Sequence, residues 1–268
     1  MAGRRASRAR PSPPRSQHFL RSATLAAELV ASAGIGASDL VLDVGAGTGR
    51  LTDALARAAR RVVAIEVDPR LASALRGRWA NVEVVCGDAT AVALPEAPFR
   101  VVANLPFART TGILHALLDD AATPLVQADL VVEWAVAHKH GVPWPSSVNG
   151  VLWGAAYEVC VARRLPRSAF TPAPAVDAGV LVFRRRARPL VPPDRAAAYH
   201  RFVADGFRRG LPAVASRRER RAAGVEQATA RDLDAHAWAA LFGCSSRGSR
   251  GPRERRDRGE WSRGGSNP

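Results

Sequence analysis

Short apolar runs alternate with amphipathic stretches through most of this chain, and the alternation predicts a repeating order of strands and helices. Thr24 to Ala33 reads as a helix with Leu25, Leu29 and Val30 on one face. Leu40 to Val44 is a compact apolar strand running into Gly45, Gly47 and Gly49, and Leu51 to Ala59 is the helix after it. Val62 to Ile65, Val82 to Val85 and Phe99 to Ala103 read as further strands. Helices are expected over Pro69 to Arg76 and Gly112 to Leu118, and Val126 to Val136 and Val180 to Arg184 supply the last strands. Strands and helices in this alternation predict an α/β fold with right-handed crossovers and a parallel sheet covered on both faces. Residues 194 to 242 keep helical spacing without strands, beyond a linker at Pro189 to Pro193, which predicts a small C-terminal helical domain. The expected division is a disordered basic arm over 1–16, the α/β domain over 17–188, the helical domain over 189–242 and a disordered Arg/Gly-rich tail over 243–268.

Composition changes this picture mainly through charge. With 39 basic and 24 acidic residues the 268-residue chain carries +15. Residues 1–21 hold six Arg and no acid, and residues 243–268 hold seven Arg against three acids, so the two ends carry ten of the fifteen excess charges. Residues 194–221 add eight Arg against three acids, while residues 22–193, with 17 basic and 15 acidic groups, are nearly neutral. Lys139 is the only lysine, so Arg as a residue type carries little weight here. Its placement carries more, because flexible basic arms raise affinity for a polyanion without reading its sequence. A solvated, solubilising pair of tails is the plainer alternative. Cys86, Cys160 and Cys244 are far apart and odd in number, which indicates neither a disulfide framework nor a metal site and fits a reducing cytoplasm. No 18-residue apolar window occurs, and Glu28 interrupts the first apolar stretch, so neither a membrane span nor a leader is expected.

The candidate chemistry gathers at the strand ends. Asp43-Val44-Gly45-Ala46-Gly47-Thr48-Gly49 follows a strand and opens a helix, where small residues let a ligand approach the backbone and free N–H groups collect. A dinucleotide fingerprint would need glycine three places after Gly47, and position 50 is Arg. The turn therefore favours an adenosine joined to an amino acid over a pyrophosphate. Glu66, at the end of the next strand, is 19 residues beyond Gly47, where an acid reaches ribose hydroxyls. Asp68 precedes Pro69 and reads as a helix cap. Asp88 and Ala89 end the third strand, where a carboxylate accepts from an adenine amino group. Together these strand tips describe one cleft for S-adenosylmethionine at the carboxyl edge of the sheet.

Asn104-Leu105-Pro106-Phe107 ends the fourth strand at the same edge. The amino nitrogen of a nucleobase is a poor nucleophile because its lone pair is delocalised into the ring. The Asn104 side-chain oxygen and the Leu105 carbonyl can accept its two N–H groups and free that lone pair for attack on a methyl donor. Pro106 restricts Leu105 to an extended backbone, and the face of Phe107 can stack on a base flipped out of its helix.

With these residues in place, Ser16 to Phe242 resembles the rRNA adenine N-6-methyltransferases, and more narrowly the Erm-type 23S rRNA enzymes of macrolide, lincosamide and streptogramin resistance. Gln17-His18-Phe19-Leu20 is similar to the family's Q-N-F-L segment over the cofactor, with His18 where Asn is usual; the resemblance implies cofactor contacts at Gln17, His18 and Leu20. Phe107 occupies a place often held by Tyr. Phe170-Thr171-Pro172-Ala173-Pro174-Ala175-Val176-Asp177 resembles the F-x-P-x-P-x-V segment, which implies that Phe170 covers the flipped base from the other side; on its residues alone Phe170 reads as core. Ala128 to His140 is similar to the Q-x-E-x-A-x-K region, with Glu133 and Ala135 at the Gln and Glu positions. The resemblance implies a Rossmann-like methyltransferase domain, S-adenosyl-L-methionine as cofactor, no metal, and a monomer acting on ribosomal RNA. The broader family also includes 16S rRNA dimethyltransferases of ribosome assembly. The segment Val151-Leu152-Trp153 ahead of Pro166 to Phe170, the Arg-rich tails and the short helical domain favour the resistance branch.

Overall fold

A computed structural model of the chain describes residues 17–141 and 147–248. The expected arm over 1–16 lies outside these residues. In chain order the elements are β1 (Phe19–Leu20), α1 (Ala23–Ser32), β2 (Leu40–Val44), α2 (Arg50–Ala58), β3 (Arg61–Glu66), α3 (Pro69–Leu75), β4 (Val82–Cys86), β5 (Phe99–Asn104), α4 (Thr110–Leu118), β6 (Leu125–Glu133) and α5 (Trp134–His140). They continue with α6 (Val148–Ala156), β7 (Tyr157–Leu165), β8 (Phe170–Thr171), β9 (Ala178–Arg185), α7 (Ala196–Arg209), α8 (Arg217–Ala222) and α9 (Ala235–Gly248).

Seven strands form one sheet in the order β4-β3-β2-β5-β6-β9-β7. The first five are parallel, as the alternation predicts. The expectation of a wholly parallel sheet is corrected at the far end, where β9 runs antiparallel to both β6 and β7. The reason is the connection: only a single 3₁₀ turn (Arg167–Ala169) and the short β8 lie between β7 and β9, and strands joined without an α-helical crossover pair antiparallel. A second correction concerns Val126 to Val136, where the strand stops at Glu133 and α5 takes over at Trp134. Residues 243–248, expected to belong to the tail, are instead the end of α9, which continues through Gly248; residues 249–268 lie outside the described residues.

Alternating strand positions fill two layers of core, as a period of two requires. Leu42, Val101, Ala103, Leu130 and Leu181 face α4 with Ile113 and Leu117. Val41, Val102, Val131, Val180 and Val182 face α1 and α2 with Leu29, Leu51 and Leu55. A third cluster is built from α7, the Leu211 turn and α9 around Trp238, and it takes Val151 and Ala155 from α6. Trp153 of the same helix belongs to the core under the sheet, so α6 walls both. Among the described residues no helix is long and apolar enough to cross a membrane.

Candidate active site at the strand tips

The carboxyl ends of β2, β3, β4 and β5 meet at one edge of the sheet. After β2 the chain turns through Gly45, Gly47 and Gly49, all at positive φ. The Gly45 and Ala46 N–H groups donate to the Ile65 carbonyl at 2.8 and 3.1 Å, which pins the turn against β3. Gly47 is covered by the first strand: a Cβ there would come within 2.7 Å of the Phe19 ring, so no larger residue fits beneath it.

Glu66 is buried at 3% exposure. Its Oε2 accepts from the Gly47 N–H at 2.7 Å and its Oε1 from the Asp68 N–H at 2.9 Å. Each carboxylate oxygen keeps one acceptor position beyond these bonds, which suits a pair of hydroxyls. Asp68 caps α3 by accepting from the Arg70 N–H at 2.8 Å, as expected. Asp43, beneath the turn, accepts from the Thr52 hydroxyl at 2.6 Å.

Asp88 accepts from the Thr90 N–H at 2.9 Å and hydroxyl at 2.7 Å, and from Arg109. The Thr90 backbone and hydroxyl bonds, with Arg109 adding to them, hold its carboxyl below the ordinary carboxylate range. Asp88 and Ala89 line a slot of about 180 Å³ with Val44, Ile65, Val67, Pro106 and Ile113. A second hollow over the same turn is lined by Gln17, His18, Phe19, Gly47, Glu66 and Asn104. Gly45, Val67 and Pro106 border both, so the two form one cleft.

At the tip of β5 the Leu105 N–H donates to the Val131 carbonyl at 3.0 Å, tying the tetrapeptide to β6. The Asn104 Nδ2 donates to the His18 carbonyl at 2.7 Å. That bond fixes the amide, and its Oδ1 is buried with no hydrogen-bond partner among the described residues. Pro106, at φ −64° and ψ 118°, leads into a single 3₁₀ turn over Phe107–Arg109. The half-buried Phe107 ring lies 5.4 Å from the His18 ring and 6.4 Å from the Phe170 ring.

The segment Gln17 to Leu20 is held over the cleft by an antiparallel pair, Phe19 opposite Thr171 and Leu20 opposite Phe170, and by His18 Nδ1 within 2.8 Å of the Pro172 carbonyl. Gln17 and His18 therefore line the cleft. Leu20 does not bring its side chain there: it is 4% exposed and packs in the core, so only its backbone can serve a ligand. Phe170 is corrected too. It is fully buried, with its edge against Phe107, and presents no free face to a base. The apolar walls of a sheet end claim a ring more readily than an open cleft does.

Two participants escaped the sequence reading. Phe19 was inside a segment already singled out, and only the approach to Gly47 reveals its part. Arg109 had no signal except its place two residues after Phe107. A larger cavity of about 360 Å³ between α4, α6 and α7 shares none of the cleft's residues.

A twisted, largely parallel sheet, a glycine turn after its first long strand, and acids at the next two strand tips define a Rossmann-like methyltransferase fold. A sequence profile of the family described as ribosomal RNA adenine dimethylase matches residues 12–213, and the chain belongs to that family. It is 37% identical over 198 residues to the rRNA adenine N-6-methyltransferase of Streptomyces fradiae, covering 72% of this chain and 61% of that protein. It is 35% identical over 216 residues to the mycinamicin-resistance protein MyrB of Micromonospora griseorubida, covering 75% of this chain and 68% of that one. The match to the Streptomyces fradiae protein thus spans less than two thirds of that protein's length. The crystal structure of the 23S rRNA methyltransferase ErmE superposes with a TM-score of 0.74 at 29% identity, covering 85% of this chain and 99% of that one.

Proposed function

We propose that this chain is an S-adenosylmethionine-dependent methyltransferase acting on the exocyclic N-6 amino group of an adenine in 23S rRNA, and that its product confers macrolide, lincosamide and streptogramin resistance. One observation carries the reading: a buried amide oxygen, Asn104 Oδ1, at the cleft and without a partner among the described residues. A buried acceptor left unsatisfied costs roughly 1–3 kcal/mol, and a ligand N–H relieves that cost.

The residues present fit the cofactor. Gly47 leaves room that a Cβ would fill, Glu66 keeps two acceptor positions for ribose hydroxyls, and Asp88 with Ala89 borders an apolar slot suited to adenine. Gln17, His18 and the backbone of Leu20 close over it. When bound, S-adenosylmethionine supplies an electrophilic methyl group. The protein's own part is to orient the acceptor. Asn104 Oδ1 and the Leu105 carbonyl accept the two N–H bonds of the base, localising the nitrogen lone pair, and no strong base is required. Pro106 sets the carbonyl's direction, and Phe107 stacks on the base. Phe170, edge-on behind Phe107, acts as the wall that holds that ring.

In this reading residues 17–188 form the catalytic domain of a cytoplasmic monomer. Residues 189–242 are an RNA-binding domain, with the exposed Arg217, Arg218 and Arg221 of α8 available to phosphates. Likeness to ErmE and to MyrB supports 23S rRNA and the resistance outcome. The family description names no ribosomal subunit and so also accommodates a second reading, the 16S enzyme of ribosome assembly.

The experiment is to supply 16S and 23S rRNA with methyl-labelled cofactor and to measure macrolide tolerance of a sensitive bacterium expressing the chain. Label in 23S adenine and raised tolerance are expected, and Asn104→Ala is expected to lower the methylation rate at least 100-fold. Label confined to 16S rRNA would move the assignment to the second reading, and no label in either would end both.

A further inference from the structure

Asp88 differs from Glu66 in having its acceptor positions almost fully taken. Its Oδ1 accepts both the backbone N–H and the hydroxyl of Thr90, and one carboxylate oxygen has room for about two donors. What remains for a ligand is therefore on Oδ2, and Arg109 already donates to that oxygen through Nη2. Both side chains border the 180 Å³ slot whose apolar walls include Ile65, Pro106 and Ile113. Arg109 reaches this point from the turn that starts at Phe107, with its own N–H bonded to the Pro106 carbonyl at 2.8 Å. The ion pair is open to solvent, with side chains 56% and 42% exposed, and exposed pairs contribute little to folding. Its place at the mouth of the slot is thus not explained by stability.

We propose that Arg109 is a positioning residue for the nucleobase end of the cofactor: it orients Asp88 Oδ2 so that one lone pair is left for the ligand's amino group, and it supplies a guanidinium at the rim of the slot. The inference rests on the adenosyl-cofactor reading above. Without Arg109 the carboxylate keeps only its Thr90 bonds and rotates more freely about them, so the ligand must order it on binding. Because Arg109 and Phe107 share one short turn, occupation of the slot also bears on the ring that meets the base.

Calorimetric titration of S-adenosylhomocysteine into the full chain and four variants tests this. Arg109→Ala is expected to weaken binding about 5- to 20-fold, with the thermal midpoint of the unliganded protein unchanged. Asp88→Ala is expected to weaken it at least as much, and Arg109→Ala added to Asp88→Ala to cost nothing further. Arg109→Lys keeps the charge without the planar fork and is expected to recover only part of the affinity. Binding by Arg109→Ala as tight as that of the unaltered chain would overturn the inference, as would losses that add in full in the double variant. Absence of binding by the unaltered chain would instead overturn the cofactor reading, and this inference with it.

Discussion

Beneath the glycine turn, Asp43 is a wholly buried carboxyl that accepts from the Thr52 hydroxyl. Burial pushes its pKa up from 3.8 to about 7, opposed by the Thr52 bonds and reinforced by nearby Glu66. Between those two values the folded chain holds a proton at Asp43 that the unfolded chain has lost, so the contribution of this residue to stability falls as pH rises. Asp43→Asn removes that dependence. The variant's unfolding free energy relative to the unaltered chain, measured with denaturant, is expected to improve by roughly 1–3 kcal/mol between about pH 4.5 and 7.5; parallel curves would refute it. Single residues of this kind were legible in the sequence where function follows from place in a local pattern. Asp43, Glu66, Asp88 and Asn104 each lie within two residues of a strand's end, and a strand's end can be read from a few neighbours. Arg109 and Phe170 were not, because their parts depend on contacts with Asp88 and Phe107, far away in chain order or across a turn that no periodicity describes.

The glycine turn and α2 show how an element depends on one position. Gly49 is the N-cap of α2 at φ 82°, and a Cβ there would run into Leu75 and approach Trp79 within 3.0 Å. Gly49→Ala combines a left-handed backbone with overpacking against α3, and a loss of about 2–4 kcal/mol is expected. A thermal melt is enough to check it, with an unchanged midpoint as the contrary result. Elements with strong local signals, β2 through β5 and α1 through α4, were legible to within a residue or two. β7 and α6 were not. β7 is an edge strand whose outer positions carry Glu158, Arg163 and Arg164, and charges that protect an edge also mask the strand pattern. α6 contains Gly150 and Gly154, which depress helix propensity, and it is held by packing on both sides. Nothing in the sequence of β9 announces its reversed direction, since strand polarity is set by the connection and not by the side chains.

Charge is a property of the whole molecule, concentrated in sequence outside residues 22–193. Residues 22–193 are nearly neutral, while residues 249–268 alone hold six Arg against three acids. Removing 249–268 is therefore expected to leave the Asn104 site intact and to flatten the salt dependence of rRNA binding, lowering the slope of log K against log salt by roughly 1–4. Fluorescence anisotropy with a labelled rRNA fragment at several salt concentrations reads this directly, and an identical slope would deny the segment any phosphate contact. The boundary near 189 suggested by chain order also looks different at this scale. α6 gives Trp153 to the core under the sheet and Val151 and Ala155 to the helical cluster around Trp238. A helix that serves as a party wall makes the two cores mutually dependent: melting either strips the other of apolar cover. Heat or denaturant then meets a single cooperative unit, and a fragment cut at the linker would carry an exposed greasy flank where the second core had been.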